Sequence, residues 1–314
     1  MTTTRSANTW PYPRRHDFIV NVRKAASNWF LTRGYSTDPK YPYILAAWKD
    51  WPKNIILPEV TQFIMERTEA QRVRGNNFPL HKYIHHGLSS QAMLFNLVGP
   101  LLVRNDLSPL KNLVEKKGLR WPGVGAKAVL EYEDRSIFKE DQGQPTSIDL
   151  VITSPDDVPE IFIEAKFVEQ EFGGCSVFQS GDCDGRNPAV NHELCYLHHI
   201  GRQYWSLMHK FNVDQGPIRT DSVCIMAPHY QFFRELLFAL EKGGIFILLS
   251  DERSPVFQCK GPQGPRGLMP LLIDLLPIEL QQKVAMISIQ DLVTEIIFQG
   301  GNDWIQIFVE KYGL

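Results

Sequence analysis

Three residues in two neighbouring segments are the ones whose types and spacing could do chemistry. Asp149 lies in Ser147-Ile-Asp-Leu-Val-Ile-Thr153, and Glu164 and Lys166 lie in Glu160-Ile-Phe-Ile-Glu-Ala-Lys-Phe167. Both segments are apolar and β-branched, so each is predicted as a strand, with Ser154-Pro-Asp-Asp157 turning the chain between them. Side chains alternate along a strand, which puts Phe162, Glu164 and Lys166 on one face and Ile161, Ile163, Ala165 and Phe167 on the other. Ile148, Leu150 and Ile152 are expected to share the apolar face of the first strand and leave Asp149 as the lone acid opposite. Paired as neighbours, the strands set Asp149 next to Glu164, and two carboxylates so placed repel unless a cation or a proton lies between them. Mg²⁺ (or Mn²⁺) meets that need, because it takes a few hard oxygens, keeps several waters and binds phosphate. The expected protein ligands are Asp149, Glu164 and the backbone carbonyl of Ala165. Lys166 supplies positive charge to a phosphorane-like transition state.

The elements that must position these residues can be read along the chain. Residues 16–34 and 58–74 are predicted helices, the second with Val60, Phe63 and Ile64 in a buried stripe and Arg67, Arg72 and Arg74 at its polar end. A third helix, Leu88 to Val103, is capped by Ser89 or Ser90 and apolar enough to be core. Ala126 to Glu133 reads as a strand and Asp134 to Pro145 as a polar turn or long hairpin loop. Past the two acidic strands come a Gly- and Cys-bearing excursion over 168–192, a helix from about Glu193 to His209, and a fourth strand from Asp221 to Ala227. Short strands at Ile245–Leu249 and Ala285–Ile289 follow. This order predicts an α/β fold with α/β/α layers around a central mixed sheet. The expected organisation is a basic helical extension over 1–84, a core over 85–230 with a cysteine-containing insertion at 168–195, and an α/β extension over 231–314.

Asp149 and, after fourteen intervening residues, Glu164-Ala-Lys166 resemble the bipartite signature of the PD-(D/E)XK, or restriction-endonuclease-like, nucleases, and the element order over 85–230 is similar as well. The resemblance implies a metal-dependent nuclease acting on DNA, of restriction or defence type. His85-His-Gly-Leu-Ser-Ser-Gln-Ala-Met-Leu-Phe-Asn96 resembles the start of the first core helix in a bacterial subgroup of restriction-type endonucleases, which makes Ser90 and Gln91 residues of the site edge. Members of the class often add an acid from the first core helix or strand. The helix from Leu88 to Val103 holds none, its nearest polar groups being Gln91 and Asn96, so Glu131 or Glu133 would take that place and the number of metal ions stays open. The class also carries a Gln or Arg near the phosphate on the helix after the third strand, a role that falls to Arg202 and Gln203. His85 and His86 read as packing or surface residues.

Five cysteines without an export signal predict thiols or metal ligands rather than disulfides. Cys175, Cys183 and Cys195 fall close together, and His198 or His199 would share a helix face with Cys195, so a zinc site of three cysteines and His198 is one expectation. An iron–sulfur cluster, held by cysteines in some relatives of the nuclease class, is another. The net charge of −2 hides a division: residues 1–128 hold 19 Lys/Arg against 8 Asp/Glu, and residues 129–314 hold 14 against 27. A basic half beside an acidic one suits a polyanion-binding surface next to a cation site. No apolar run is long enough to span a membrane, and a cytoplasmic address is expected. A homodimer is compatible with the sequence. Two rival readings are a catalytically inactive nucleic-acid-binding or assembly subunit of the same fold, and a metal-using hydrolase of small molecules.

Overall fold

The strands expected around the acidic residues form as neighbours in a computed structural model that describes residues 10–73, 78–141, 143, 145–300 and 303–314. Arg74 lies outside the described residues. β1 (Lys127–Glu133), β2 (Ser147–Thr153) and β3 (Pro159–Lys166) make an antiparallel meander. β4 (Ile245–Ser250) and β5 (Val284–Ser288) extend it in parallel, giving one mixed sheet in the order β1-β2-β3-β4-β5. β3 and β4 are apolar in near-continuous runs because parallel strands are covered on both faces.

Helices α1 (Arg15–Thr32), α2 (Pro58–Val73), α3 (Ser90–Val103) and α4 (Ser108–Lys116) precede the sheet. Between β3 and β4 come α5 (Ser176–Gln179), α6 (Tyr196–His199), α7 (Tyr204–Lys210), α8 (Gly216–Thr220) and α9 (Met226–Glu241). Between β4 and β5 lie α10 (Leu268–Asp274) and α11 (Ile278–Gln281), and α12 (Ile289–Phe298) and α13 (Asp303–Tyr312) complete the chain.

On one face of the sheet Ile161, Ile163 and Ala165 pack with Leu94 and Val98 of α3, Leu292 of α12 and Phe308 of α13. On the other, Phe162, Phe246 and Leu248 pack with Met208 of α7 and Phe232, Leu236 and Phe238 of α9. The result is the expected α/β/α arrangement of a restriction-endonuclease-like fold. Each fully buried Leu, Ile or Phe contributes about 1.5–3 kcal/mol. α3 is buried nearly all round, and the Ser89 hydroxyl caps it by accepting from the Ala92 amide at 3.2 Å. Gly99 brings it against α2, since a Cβ there would lie 2.5 Å from Val60 Cγ1.

Three expectations are corrected. Residues 221–227 form no strand: Val223 makes an isolated bridge with Arg186, Cys224 donates its amide to Gly185, and α9 begins at Met226. Their backbone groups are taken up by the cysteine-bearing excursion, so the fourth strand of the sheet is β4. The helix over 193–209 is broken into a 3-10 turn at His192–Leu194, α6 and α7, because Gly201 adopts φ +89 between them. Finally, Ile148 and Leu150 do not share a face; Ile148 packs into the α9 side and Leu150 into the α3 side. Alternation along β2 therefore fails at Asp149.

Candidate active site

The failure of alternation coincides with a break in strand pairing. In the β1–β2 register Leu130 faces Leu150 and Tyr132 faces Ile148, which brackets Glu131 opposite Asp149. The β2–β3 register begins at Leu150 and Ile163, and one step further it sets Asp149 opposite Glu164. Three carboxylates from three strands thus lie in one row. Glu131 has φ +52, a left-handed conformation unusual for a residue with a Cβ, and it interrupts the ladder where the row begins. At the other strand the Asp149 side chain enters the ladder itself, Oδ2 accepting from the Ala165 amide at 2.9 Å.

Lys166 closes the row. Its Nζ donates to Glu164 Oε1 at 2.8 Å and to Gln231 Oε1 at 2.9 Å. Gln231, on α9, also donates from Nε2 to Glu164 Oε1 at 2.7 Å and to Glu235 Oε1 at 2.7 Å. Both hydrogen bonds to Glu164 land on Oε1, and among the described residues none reaches Oε2. Glu131 is held from two sides, accepting from Gln91 Nε2 at 2.6 Å and from the Ser147 hydroxyl at 3.0 Å. Gln91 is itself fixed, because its Oε1 accepts from the His81 amide and its Nε2 also donates to the Pro79 carbonyl. Glu131, Glu164, Lys166, Gln91 and Glu235 are buried, and Asp149 is half-buried.

Crowded buried acids resist ionisation. Burial, then Glu164 and Glu131, raises Asp149 well above the usual carboxylate range. Burial carries Glu131 up to about 7 against the opposing hydrogen bonds from Gln91 and Ser147. Burial, then Glu164, raises Glu235 well above the usual carboxylate range, and among the described residues its buried Oε2 has no hydrogen-bond partner. For Lys166 burial pulls downward, but Glu164, Glu235, Glu169 and Asp149 more than offset it and hold the ammonium above the ordinary lysine value. Among the described residues no group of three His, Cys, Asp or Glu side chains stands close enough to hold a metal ion. The donor chemistry of the row still suits a hard divalent cation, which would relieve the mutual repulsion of its acids.

The other predicted residues fall at varying distances from this row. Glu133 is exposed, on the wall of a groove of about 550 Å³ along β1 that is also lined by Arg67, Gln71, Phe78, Glu131 and Arg135. Ser90 opens α3, one residue after the cap. Arg202 and Gln203 lie in the loop before α7, not on a helix: Arg202 donates to the Lys139 carbonyl and Gln203 to the Gly201 carbonyl at 2.9 Å. The glutamine that reaches the site is Gln231. Gln231 and Glu235 escape a motif search because they lie 65 and more positions beyond Lys166; their signal is two polar residues four apart, on one face of a helix whose other positions are largely buried and apolar. His81 stands near enough to feel Lys166 and Glu169. His85 and His86 are half-buried, and burial pushes His86 down to about 4, which keeps it neutral at physiological pH.

A second cluster lies in the excursion between β3 and α9. Cys175, Cys183, Cys195 and Cys224 line one cavity of about 30 Å³, together with apolar groups such as Leu197, Trp205 and Met226. Burial pushes the Cys224 thiol up to about 12, with Cys195 and Cys175 adding to the effect, and Cys195 is raised in the same way. His198 is not on the wall of this cavity, its Nε2 lying 3.8 Å from Glu193, whereas Cys224 is.

No helix among the described residues is long and apolar enough to cross a membrane. No curated protein and no solved structure matches the chain. A family model described as Restriction Endonuclease associating with ARP matches residues 23–313, a span that takes in the whole carboxylate row, Lys166, Gln231 and every strand of the sheet. The chain therefore belongs to the family of restriction endonucleases associating with ARP.

Proposed function

We propose that the protein is a metal-dependent nuclease that hydrolyses DNA phosphodiester bonds at Asp149, Glu164 and Lys166, in a restriction or defence role carried out in the cytoplasm with an ARP partner. The observation that carries this reading is the meeting of the Glu131–Asp149–Glu164 row with one buried ammonium, Gln91 holding Glu131, the Ala165 amide holding Asp149 and Gln231 holding Glu164 and Lys166. A structural ion pair needs one acid per lysine; the surplus of acid here favours a cation, and the cation would in turn attract a phosphate. Bound Mg²⁺ or Mn²⁺ would rest on Asp149, Glu164 and the Ala165 carbonyl, with Glu131 as a further carboxylate, and would supply Lewis acidity and an acidified water.

The protein groups do the rest. Lys166 exchanges its contact with Glu164 for a phosphate oxygen and stabilises the charge that builds there. Gln231 keeps hold of both side chains during that exchange. Glu131, half-titrated at about neutral pH, accepts or returns a proton at the edge of the row. The groove along β1, with Arg67 and Arg135 on its walls, gives a phosphate backbone an approach to Glu131.

A plasmid-nicking assay of the full chain with Mg²⁺ or Mn²⁺, with and without EDTA, tests this beside Asp149→Asn and Glu164→Ala. Cleavage by the native protein that EDTA stops and that either substitution removes, with unchanged circular dichroism, is the expected result. Cleavage by either variant at the native rate overturns the assignment. Binding that weakens steeply with salt but needs no metal and leads to no cleavage overturns it in favour of a non-catalytic DNA-binding subunit.

A further inference from the structure

The surface that leads away from the carboxylate row carries rings and cations together, and it is built from three segments. His81-Lys-Tyr-Ile-His-His86 precedes α3, Lys40-Tyr-Pro-Tyr43 lies in the turns after α1, and Arg23 belongs to α1 itself. The first two lie side by side: Ile44 and His86 form an antiparallel bridge, the Gly87 amide donates to the Tyr43 carbonyl at 2.8 Å, and the Leu45 amide donates to the His85 carbonyl at 3.2 Å. Gly87 permits this approach, since a Cβ there would come 2.6 Å from Ala26 Cβ of α1.

Rings succeed one another along this surface. The centroids of His81 and Tyr83 are 5.2 Å apart, those of Tyr83 and His86 4.8 Å, and those of Tyr41 and Tyr43 5.9 Å. Burial does not account for them, because Tyr83 is 45% exposed and Tyr41 40%. A cation lies over each tyrosine: Lys82 Nζ is 4.8 Å from the Tyr83 centroid, Lys40 Nζ 5.2 Å from that of Tyr41, and the Arg23 guanidinium 5.1 Å from that of Tyr43. Among the described residues none of these three cations forms an ion pair, whereas Lys53, Lys111 and Lys127 are each matched by an acid. No Asp or Glu occurs between Glu69 and Asp106, and Asp38, the acid of the Tyr41 turn, accepts from the Lys40 and Tyr41 amides at 2.8 and 2.9 Å. The histidines add rings rather than charge, since burial lowers His81, His85 and His86 alike.

Exposed ring faces with cations beside them and no acid among them match the chemistry of an unpaired nucleic-acid strand, whose bases stack on rings while its phosphates meet the cations. A closed duplex keeps its base faces inside the helix and gives these rings nothing to stack on. An apolar protein partner would bury three cations without a counter-charge, which is costly. The surface also begins at the site, because the His81 amide donates at 2.8 Å to Gln91 Oε1 and the Gln91 amide holds Glu131. We infer that the Tyr41–Tyr43 and His81–His86 segments bind an unpaired stretch of DNA beside the scissile phosphate, which makes duplex carrying such a stretch the preferred substrate. This rests on the nuclease reading for the identity of the polymer and for the phosphate that is cut.

The test measures binding of the full chain in EDTA, by fluorescence anisotropy, to a labelled duplex that ends in a single-stranded tail of about ten nucleotides and to a fully paired duplex of the same total length. The tailed DNA is expected to bind at least about fivefold more tightly. Tyr83→Ala and Tyr41→Ala each remove most of that gain and leave the paired duplex within about twofold, whereas Tyr83→Phe, which keeps the ring, retains it. Both tyrosines are exposed, and unchanged circular dichroism checks that the variants fold. Equal binding of the two DNAs overturns the inference, and so does a tail preference that survives both alanine substitutions. Absence of DNA binding together with self-association that Tyr83→Ala abolishes overturns it in favour of a contact between copies of the chain. Because the measurement needs no hydrolysis, a tail preference in protein that never cleaves sinks the nuclease reading and leaves this surface standing, whereas cleavage without the preference does the reverse.

Discussion

Lys166 and Lys311 are both buried, on opposite faces of the sheet, and their surroundings push their proton affinities in opposite directions. Lys166 faces acids, and Glu164 and its neighbours keep its ammonium charged. Lys311 lies among neutral groups, donating to Asn54 Oδ1 at 2.8 Å and to the Asn54 carbonyl, and burial, then Arg33, lowers it well below the usual lysine value. Asn54 in turn donates to the Ile84 and His86 carbonyls, and Asn96 joins it to the Tyr312 hydroxyl. The Lys311 network fastens the segment before α2, helix α3 and the C-terminal helix α13 together. Burial alone does not mark a lysine for chemistry; an excess of acid around it does.

The sharpest way to break the comparison is to remove each amine in turn. Lys166→Met is expected to lower metal-dependent plasmid cleavage by about 10²–10³-fold, whereas Lys311→Met leaves it within about threefold. Equal losses in both variants, measured at saturating metal, would erase the distinction.

A smaller effect sharpens the role of the acid row. Glu131 is raised to about 7 in the folded protein from an ordinary 4.5, so the native state binds more protons than the unfolded one between those values. Metal-free stability from this group is therefore present below about 4.5 and lost as pH rises through about 7. A cation that displaces the proton should bind better as pH rises, and cleavage should increase by about tenfold per pH unit below that transition before levelling off. Glu131→Gln is expected to flatten the profile; an unchanged profile would remove Glu131 from the row.

The smallest effect concerns Lys311. Its folded value is depressed, so the native state binds fewer protons than the unfolded chain below 10.5, and stability rises with pH inside that window by at most about 1.4 kcal/mol per unit. Thermal denaturation of the native protein and Lys311→Met at several alkaline pH values should show the native protein gaining on the variant. A gap that does not move with pH would mean that Lys311 is charged.

The parts of this protein legible in its sequence are those in which neighbours in the chain are neighbours in space. β1, β2 and β3 follow one another and pair as a meander, so the alternation of Ile161 to Phe167 suffices to bring Glu164 and Lys166 to one face. Ile148 departs from its expected face because no local rule foretells a left-handed Glu131 across from Asp149. Gln231 and Glu235 are not legible for a different reason: α9 reaches the site only after a long excursion whose course depends on its own internal bonds. The same excursion turns Val223 to Ala227 away from the sheet, although their apolar, β-branched character would suit a strand.

The backbone at Glu131 has a cost attached to its chemistry. A left-handed residue with a side chain gives up about 1–2 kcal/mol that glycine would not, and here the position carries a carboxylate at the sheet's outer strand. The same twist spoils that border as a template for an incoming strand, so a feature that shapes an acid's surroundings also guards the molecule against edgewise association.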